Sequence, residues 1–138
     1  MEELIYLFYY YRLVKRKTSD NHHRKNEKIR EIIDYINKHY VETLTIEQLS
    51  ELMGGYSKMH FITIFKQHTG TSCTEFIIQD RLNATCEELR NSVKPVLEIS
   101  TSVGFNNLSN FNRQFKHYYA QTPSQYRKTH SNKKTNKS

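Results

Sequence analysis

Apolar residues recur along this chain at helical spacing, in short stretches divided by a few glycines. Between residues 26 and 40, Ile29, Ile32, Ile33 and Ile36 share one face, with Glu27, Lys28, Arg30, Glu31 and Asp34 placed elsewhere. This pattern predicts an amphipathic scaffold helix over 26–40. Ile46, Leu49 and Met53 then mark a short helix with Thr45 as its N-cap. Gly54 falls where that helix must end and the chain reverse, a conformation that glycine adopts at little cost. Ser57 caps the next helix, Phe61 and Phe65 face inward together at i and i+4, and Gly70 stops it. A linking helix over 74–91 follows, carrying Phe76, Ile77, Leu82 and Leu89.

The chain then repeats itself. Residues 45–77 lie over 95–127 at a constant offset of 50 with no gap. Ile46 falls on Val96, Leu49 on Ile99, Ser50 on Ser100, Met53 on Val103 and Gly54 on Gly104. Phe61, Phe65, Lys66 and Phe76 fall on Phe111, Phe115, Lys116 and Tyr126. In the second copy Pro95 suits a first helical turn, Asn106 or Asn107 caps the helix of Phe111 and Phe115, and Thr122-Pro123-Ser124 opens a short final helix. A helix, a sharp glycine turn and a second helix, given twice, predict an all-α fold: two helix-turn-helix subdomains joined by a linking helix. The eighteen residues of the linking helix would span roughly 27 Å. Such a rod would hold two recognition helices about one DNA turn apart, roughly 34 Å, in successive major grooves and without need of a palindrome.

Composition narrows the function. Only four Gly and two Pro occur in 138 residues, too few turn residues for an all-β fold. The net charge of +7 arises entirely after Glu98, the last acid, from Arg113, Lys116, Arg127, Lys128, Lys133, Lys134 and Lys137. A one-sided basic stretch is the electrostatic footprint of a polyanion binder. Cys73 and Cys86 form neither a disulfide framework nor a zinc pair and read as reduced, buried small hydrophobes. Cys73 also stands at a helix start, where the thiol pKa can be lowered. The seven histidines are scattered without metal-ligand spacing, Glu87-Glu88 reads as a charged helix face, and no glycine-rich phosphate loop is present. The expectation is a non-enzyme with no cofactor and no metal.

GYSKMHFITIFKQHTG in the first unit, and GFNNLSNFNRQFK with TPSQYR in the second, resemble the DNA-binding domain of the AraC/XylS family of transcription regulators. The resemblance covers about residues 26–128. It implies a seven-helix domain with homeodomain-like helix-turn-helix units. It also implies regulation of transcription, by activation more than repression, through contact with RNA polymerase in a bacterial cytoplasm at the nucleoid. One departure stands out: Gly54-Gly55 precede Tyr56-Ser57 where many relatives have one residue fewer, which would turn or shift the first recognition helix.

With the paired phenylalanines in the core, the opposite helix faces would meet DNA. The second unit offers Ser109, Asn110, Asn112 and Arg113. Arginine presents two donors to guanine O6 and N7, and asparagine bridges adenine N6 and N7. By family position, Ser109, Asn110 and Arg113 match residues that touch bases. The first unit offers Met59, His60, Ile62 and Thr63. Ile62 and Thr63 would pack methyl groups on thymine, or Ile62 would simply be a partly packed apolar residue. Lys58, Lys66, Lys116, Arg127 and Lys128 are candidates for phosphates, which give affinity and salt dependence but little sequence information.

Residues 4–14, from Leu4 to Val14, are aromatic on nearly all sides and too short to span a bilayer. They read as a helix that seeks a partner: a remnant of an upstream sensor or dimerisation domain, a self-association helix, or a segment folded back on the core. Residues 15–25 read as a polar linker and 129–138 as a disordered basic tail. The competing readings are a truncated regulator acting as a protein-interaction module and a non-specific nucleic-acid binder.

Overall fold

The computed structural model describes residues 20–131, and all regular structure among them is helical. Seven helices follow in order: α1 Asp20–His39, α2 Ile46–Leu52, α3 Lys58–Thr69, α4 Cys73–Asn91, α5 Val96–Ser102, α6 Leu108–Tyr119 and α7 Pro123–His130. They form two compact units. Among the described residues the first comprises 20–39 and Thr43–Ile77, the second Tyr40–Glu42 and 78–131.

In the first unit the isoleucine stripe of α1 is fully buried. Ile29, Ile32, Ile33 and Ile36 pack with Leu49 of α2 and its C-cap Met53, Phe61, Ile64 and Phe65 of α3, and Cys73, Phe76 and Ile77 from the start of α4. The Phe65 and Phe76 rings meet edge to face at 5.7 Å. The second unit repeats the arrangement with Leu82, Cys86 and Leu89 of α4 in the scaffold role, against Ile99, Val103, Phe105, Phe111, Phe115 and Tyr126. Its Phe115 and Tyr126 rings are edge to face at 5.7 Å, the fifty-residue counterpart of the first pair. Truncating any of these buried phenylalanines to alanine removes about 3–5 kcal/mol.

Local chemistry sets the helix ends. Thr45 and Gln48 form a reciprocal capping box at α2, and Thr122 and Gln125 form another at α7. Ser57 and Asn107 cap α3 and α6 through their side-chain oxygens. Gly70 ends α3 in the left-handed conformation, at φ 85°, and Ala120 ends α6 the same way at φ 61°.

Several boundaries differ from the sequence expectation. Helix α1 begins at Asp20, inside the segment expected to be linker, because an apolar stripe marks only the buried part of a helix. Neither Gly nor Pro interrupts the polar turns before it. Pro95 precedes α5 as its N-cap rather than entering its first turn. Helix α7 runs to His130, two residues into the expected tail. Helix α4 starts with Cys73, but that thiol is buried, and burial pushes its pKa up to about 12. The expected lowering at a helix terminus is overruled by desolvation. The proposed helix from Leu4 to Val14 and the basic tail beyond Ser131 lie outside the described residues.

Candidate nucleic-acid interface

Both turns have the same length and the same hydrogen bonds. Gly55 N–H donates to the Ser50 carbonyl at 3.1 Å, and Phe105 N–H to the Ser100 carbonyl at 3.0 Å. The two turns are thus equally long, and the two N-caps fall fifty residues apart. They differ in packing. Where the second turn inserts Phe105 into the core, the first has Gly55 at φ 77°, and Tyr56 one residue later covers the core only partly.

Helix α6 divides cleanly. Phe111 and Phe115 are fully buried, while Ser109, Asn112, Arg113, Lys116 and His117 are exposed and Asn110 is half-buried. Arg113 Nη2 donates to Asn110 Oδ1 at 2.7 Å. An open groove beside this helix is lined by Leu97 of α5, by Leu108, Asn112, Arg113 and Lys116, and by the start of α7. It holds two residues the sequence reading passed over, Leu97 and Leu108. Both are leucines left in solvent, 59 % and 40 % exposed. The repeat carries the signal that would have found them, since their counterparts are Glu47 and Lys58.

Helix α3 is built differently. Met59 is 70 % exposed, and His60 and Thr63 are exposed as well. Ile62 is half-buried and packs against the first core, which leaves less of it for a partner. The His60 ring stacks on Tyr56, with centroids 4.8 Å apart and planes 10° from parallel. Lys58 Nζ donates to Glu47 Oε2 at 2.9 Å, and that bond holds the Glu47 carboxyl below its ordinary range.

The cations divide in the same spirit. Lys66, Lys116 and Lys128 are exposed. Arg127 turns inward instead, its Nη2 donating to the Lys94 carbonyl at 2.8 Å and its Nε to the Leu89 carbonyl at 3.3 Å. A second internal arginine, Arg81, donates from Nε to the Tyr40 carbonyl at 2.7 Å and from Nη2 to the Glu42 carbonyl at 2.9 Å. Among the described residues no cluster of three or more His, Cys, Asp or Glu side chains is placed to hold a metal, and no helix is long and apolar enough to cross a membrane.

A family model described as a helix-turn-helix domain matches residues 53–129. The chain is 43 % identical over 84 residues to an HTH-type transcriptional regulator of Haemophilus influenzae, a match that covers 61 % of this chain and 28 % of that longer protein. It is 33 % identical over 101 residues to the multiple antibiotic resistance protein MarA of Escherichia coli, covering 73 % of this chain and 79 % of MarA. Among solved structures it is similar to the C-terminal domain of AraT, a response regulator from Geobacillus stearothermophilus. That likeness has a TM-score of 0.71 and 28 % identity and covers 75 % of this chain and 86 % of that one.

Proposed function

Because the chain belongs to the AraC/XylS family of helix-turn-helix transcription regulators, we propose that it binds double-stranded DNA sequence-specifically, with α3 and α6 in successive major grooves. It then regulates transcription, as an activator that touches RNA polymerase. The observation that carries this reading is the polar face of α6. Ser109, Asn112 and Arg113 are exposed beside Lys116, and Phe111 and Phe115 anchor the opposite face in the core. A helix so held offers base-reading donors to the groove and a lysine to the flanking phosphates.

The two units contribute unequally. The second supplies hydrogen-bonded specificity through Arg113 and Asn112. The first adds apolar contact from Met59 and the Thr63 methyl, with Lys66 on phosphate. Ile62, partly committed to the core, and Lys58, paired with Glu47, contribute less. Arg127 ties α7 to the last turn of α4 through the Leu89 carbonyl and to the loop before α5 through that of Lys94, and Lys128 is the phosphate candidate on α7. Residues 4–14 supply self-association. Sedimentation of the intact chain beside one beginning at Asp20, which keeps α1 whole, tests that part.

Selection of bound duplexes from a random pool tests the main reading. The expected result is two short motifs about one helical turn apart, the sharper one facing α6. A pool that stays random after selection identifies a non-specific binder, and sharp preference only in the half facing α3 reverses the assigned roles.

A further inference from the structure

Asn110 occupies the third position of α6, where its backbone N–H donates to the capping oxygen Asn107 Oδ1 at 2.8 Å. Its side chain is half-buried against the helix surface. The side-chain oxygen accepts from Arg113 Nη2 at 2.7 Å and from Gln114 Nε2 at 3.4 Å. One oxygen thus gathers two donors from the next helical turn. An asparagine that reads adenine must turn both its oxygen and its NH₂ to the base edge. In Asn110 the oxygen already serves the helix, and Arg113 lines the open groove.

We infer that Asn110 is a positioning residue, which orients Arg113 for guanine rather than reading a base itself. This rests on the reading of Arg113 as a base contact. A solvent-exposed arginine samples many rotamers, and ordering it on binding works against affinity. A charge-assisted hydrogen bond made before DNA arrives fixes the plane of the guanidinium and removes part of that cost. Among the described residues of the first unit, no such pair stands at the equivalent places. The positions fifty residues earlier hold His60, stacked on Tyr56, and Thr63.

The test uses the full chain, a selected duplex and its single-base variants, with equilibrium binding of Arg113→Ala, Asn110→Ala, Asn110→Asp and the Asn110→Ala/Arg113→Ala double variant. Arg113→Ala should relax preference at one base pair. Asn110→Ala should weaken preference at that same pair by about two- to tenfold, the range set by ordering one flexible side chain, and should add nothing in the Arg113→Ala background. Asn110→Asp keeps the acceptor and loses the amide donors. It should retain the preference while lowering affinity for all duplexes alike, because it adds a negative charge. If Asn110→Ala changes preference at a different pair, or Asn110→Asp loses the preference as Asn110→Ala does, Asn110 reads a base and the inference falls. If Arg113→Ala relaxes a pair that Asn110→Ala leaves untouched, the inference falls while the reading of Arg113 stands. If Arg113→Ala alters no base preference, the reading of Arg113 falls and takes the inference with it.

Discussion

Glu47 and Lys58 are joined by a 2.9 Å ion pair in the first helix-turn-helix, and the same two places in the second are occupied by Leu97 and Leu108. The scaffold positions of the repeat are nearly identical, yet this pair has changed its chemistry completely. In the first unit a carboxylate sits beside the opening turn of α3 and takes up the charge of its first lysine. In the second, two exposed leucines offer apolar surface next to Arg113 and Lys116. The two units thus differ in their surface chemistry: an attenuated charge in one, and cations beside an apolar edge in the other.

Removing the carboxylate should release Lys58. Glu47→Gln is expected to strengthen binding of selected and random duplexes together, most at low salt, because phosphate contacts are indifferent to sequence. Leu108→Lys should act in the same direction from the second unit. Titrations at two salt concentrations check both. A gain confined to the selected duplex would assign Glu47 or Leu108 to base recognition instead.

Glycine matters unequally at equivalent places. A Cβ on Gly104 would lie 2.8 Å from Arg81 Nε and from the Tyr40 carbonyl oxygen, and 3.0 Å from that of Val41, at φ +112°. On Gly54, at φ +110°, it would meet only Lys28 Nζ at 3.8 Å. Gly54→Ala should therefore cost backbone strain alone, about 1–3 kcal/mol. Gly104→Ala should cost distinctly more, since it also dislodges Arg81 from its carbonyls. Ala120 presents the converse case: it adopts φ 61° where Gly70 serves the first unit. Ala120→Gly should raise stability by about 0.5–1 kcal/mol. Denaturant unfolding of the three variants gives the ranking, and equal losses at Gly54 and Gly104 would refute the packing argument.

Much of this architecture was legible because it is written twice. Helical spacing located the apolar stripes, and the offset of fifty set the turns, the caps and the paired phenylalanines in register. The start of α1 was not legible, since its first residues, DNHHRKN, include no apolar side chain to mark them. Nor were the inward turns of Arg127 and Arg81, because a cation in sequence looks the same whether it meets a phosphate or a backbone carbonyl. The bond from Arg113 to Asn110 was within reach of i,i+3 spacing. Asparagine and arginine are also base-reading types, so their spacing alone does not tell a pair from two separate contacts.

Arg127 and Lys128 are neighbours with opposite expected phenotypes. Arg127 ties α7 to the carbonyls of Leu89 and Lys94 while half-buried, so Arg127→Ala should destabilise the fold by about 1–3 kcal/mol. Where the protein remains folded, its loss of DNA affinity should be modest. Lys128 is exposed, and Lys128→Ala should leave the melting temperature unchanged while weakening all duplexes and flattening the salt dependence. Melting curves beside salt titrations separate the two, and an unchanged melting temperature for Arg127→Ala would return Arg127 to the phosphate contacts.

Asp80 gives the second unit a pH dependence of unusual sign. Its Oδ2 is buried and has no hydrogen-bond partner among the described residues, and burial raises the carboxyl pKa to about 7. It also adds to the local negative charge that, after burial, pushes the Tyr40 hydroxyl upward. A carboxyl whose folded pKa lies above its unfolded value, near 4, is favoured by folding in its protonated form. That contribution is complete below about pH 4 and is lost as pH rises through about 7. Glu47 and Glu75 shift downward, each chiefly through a side-chain hydrogen bond, from Lys58 and Thr71 respectively, so their stabilisation is lost in acid instead. The informative quantity is thus the difference between wild type and Asp80→Asn at each pH. The variant keeps the shape and cannot ionise, so its gain in melting temperature should be largest near pH 8 and shrink toward pH 4.5. A gain that grows in acid would show that Asp80 is stabilised as the carboxylate, by a partner that forms in solution.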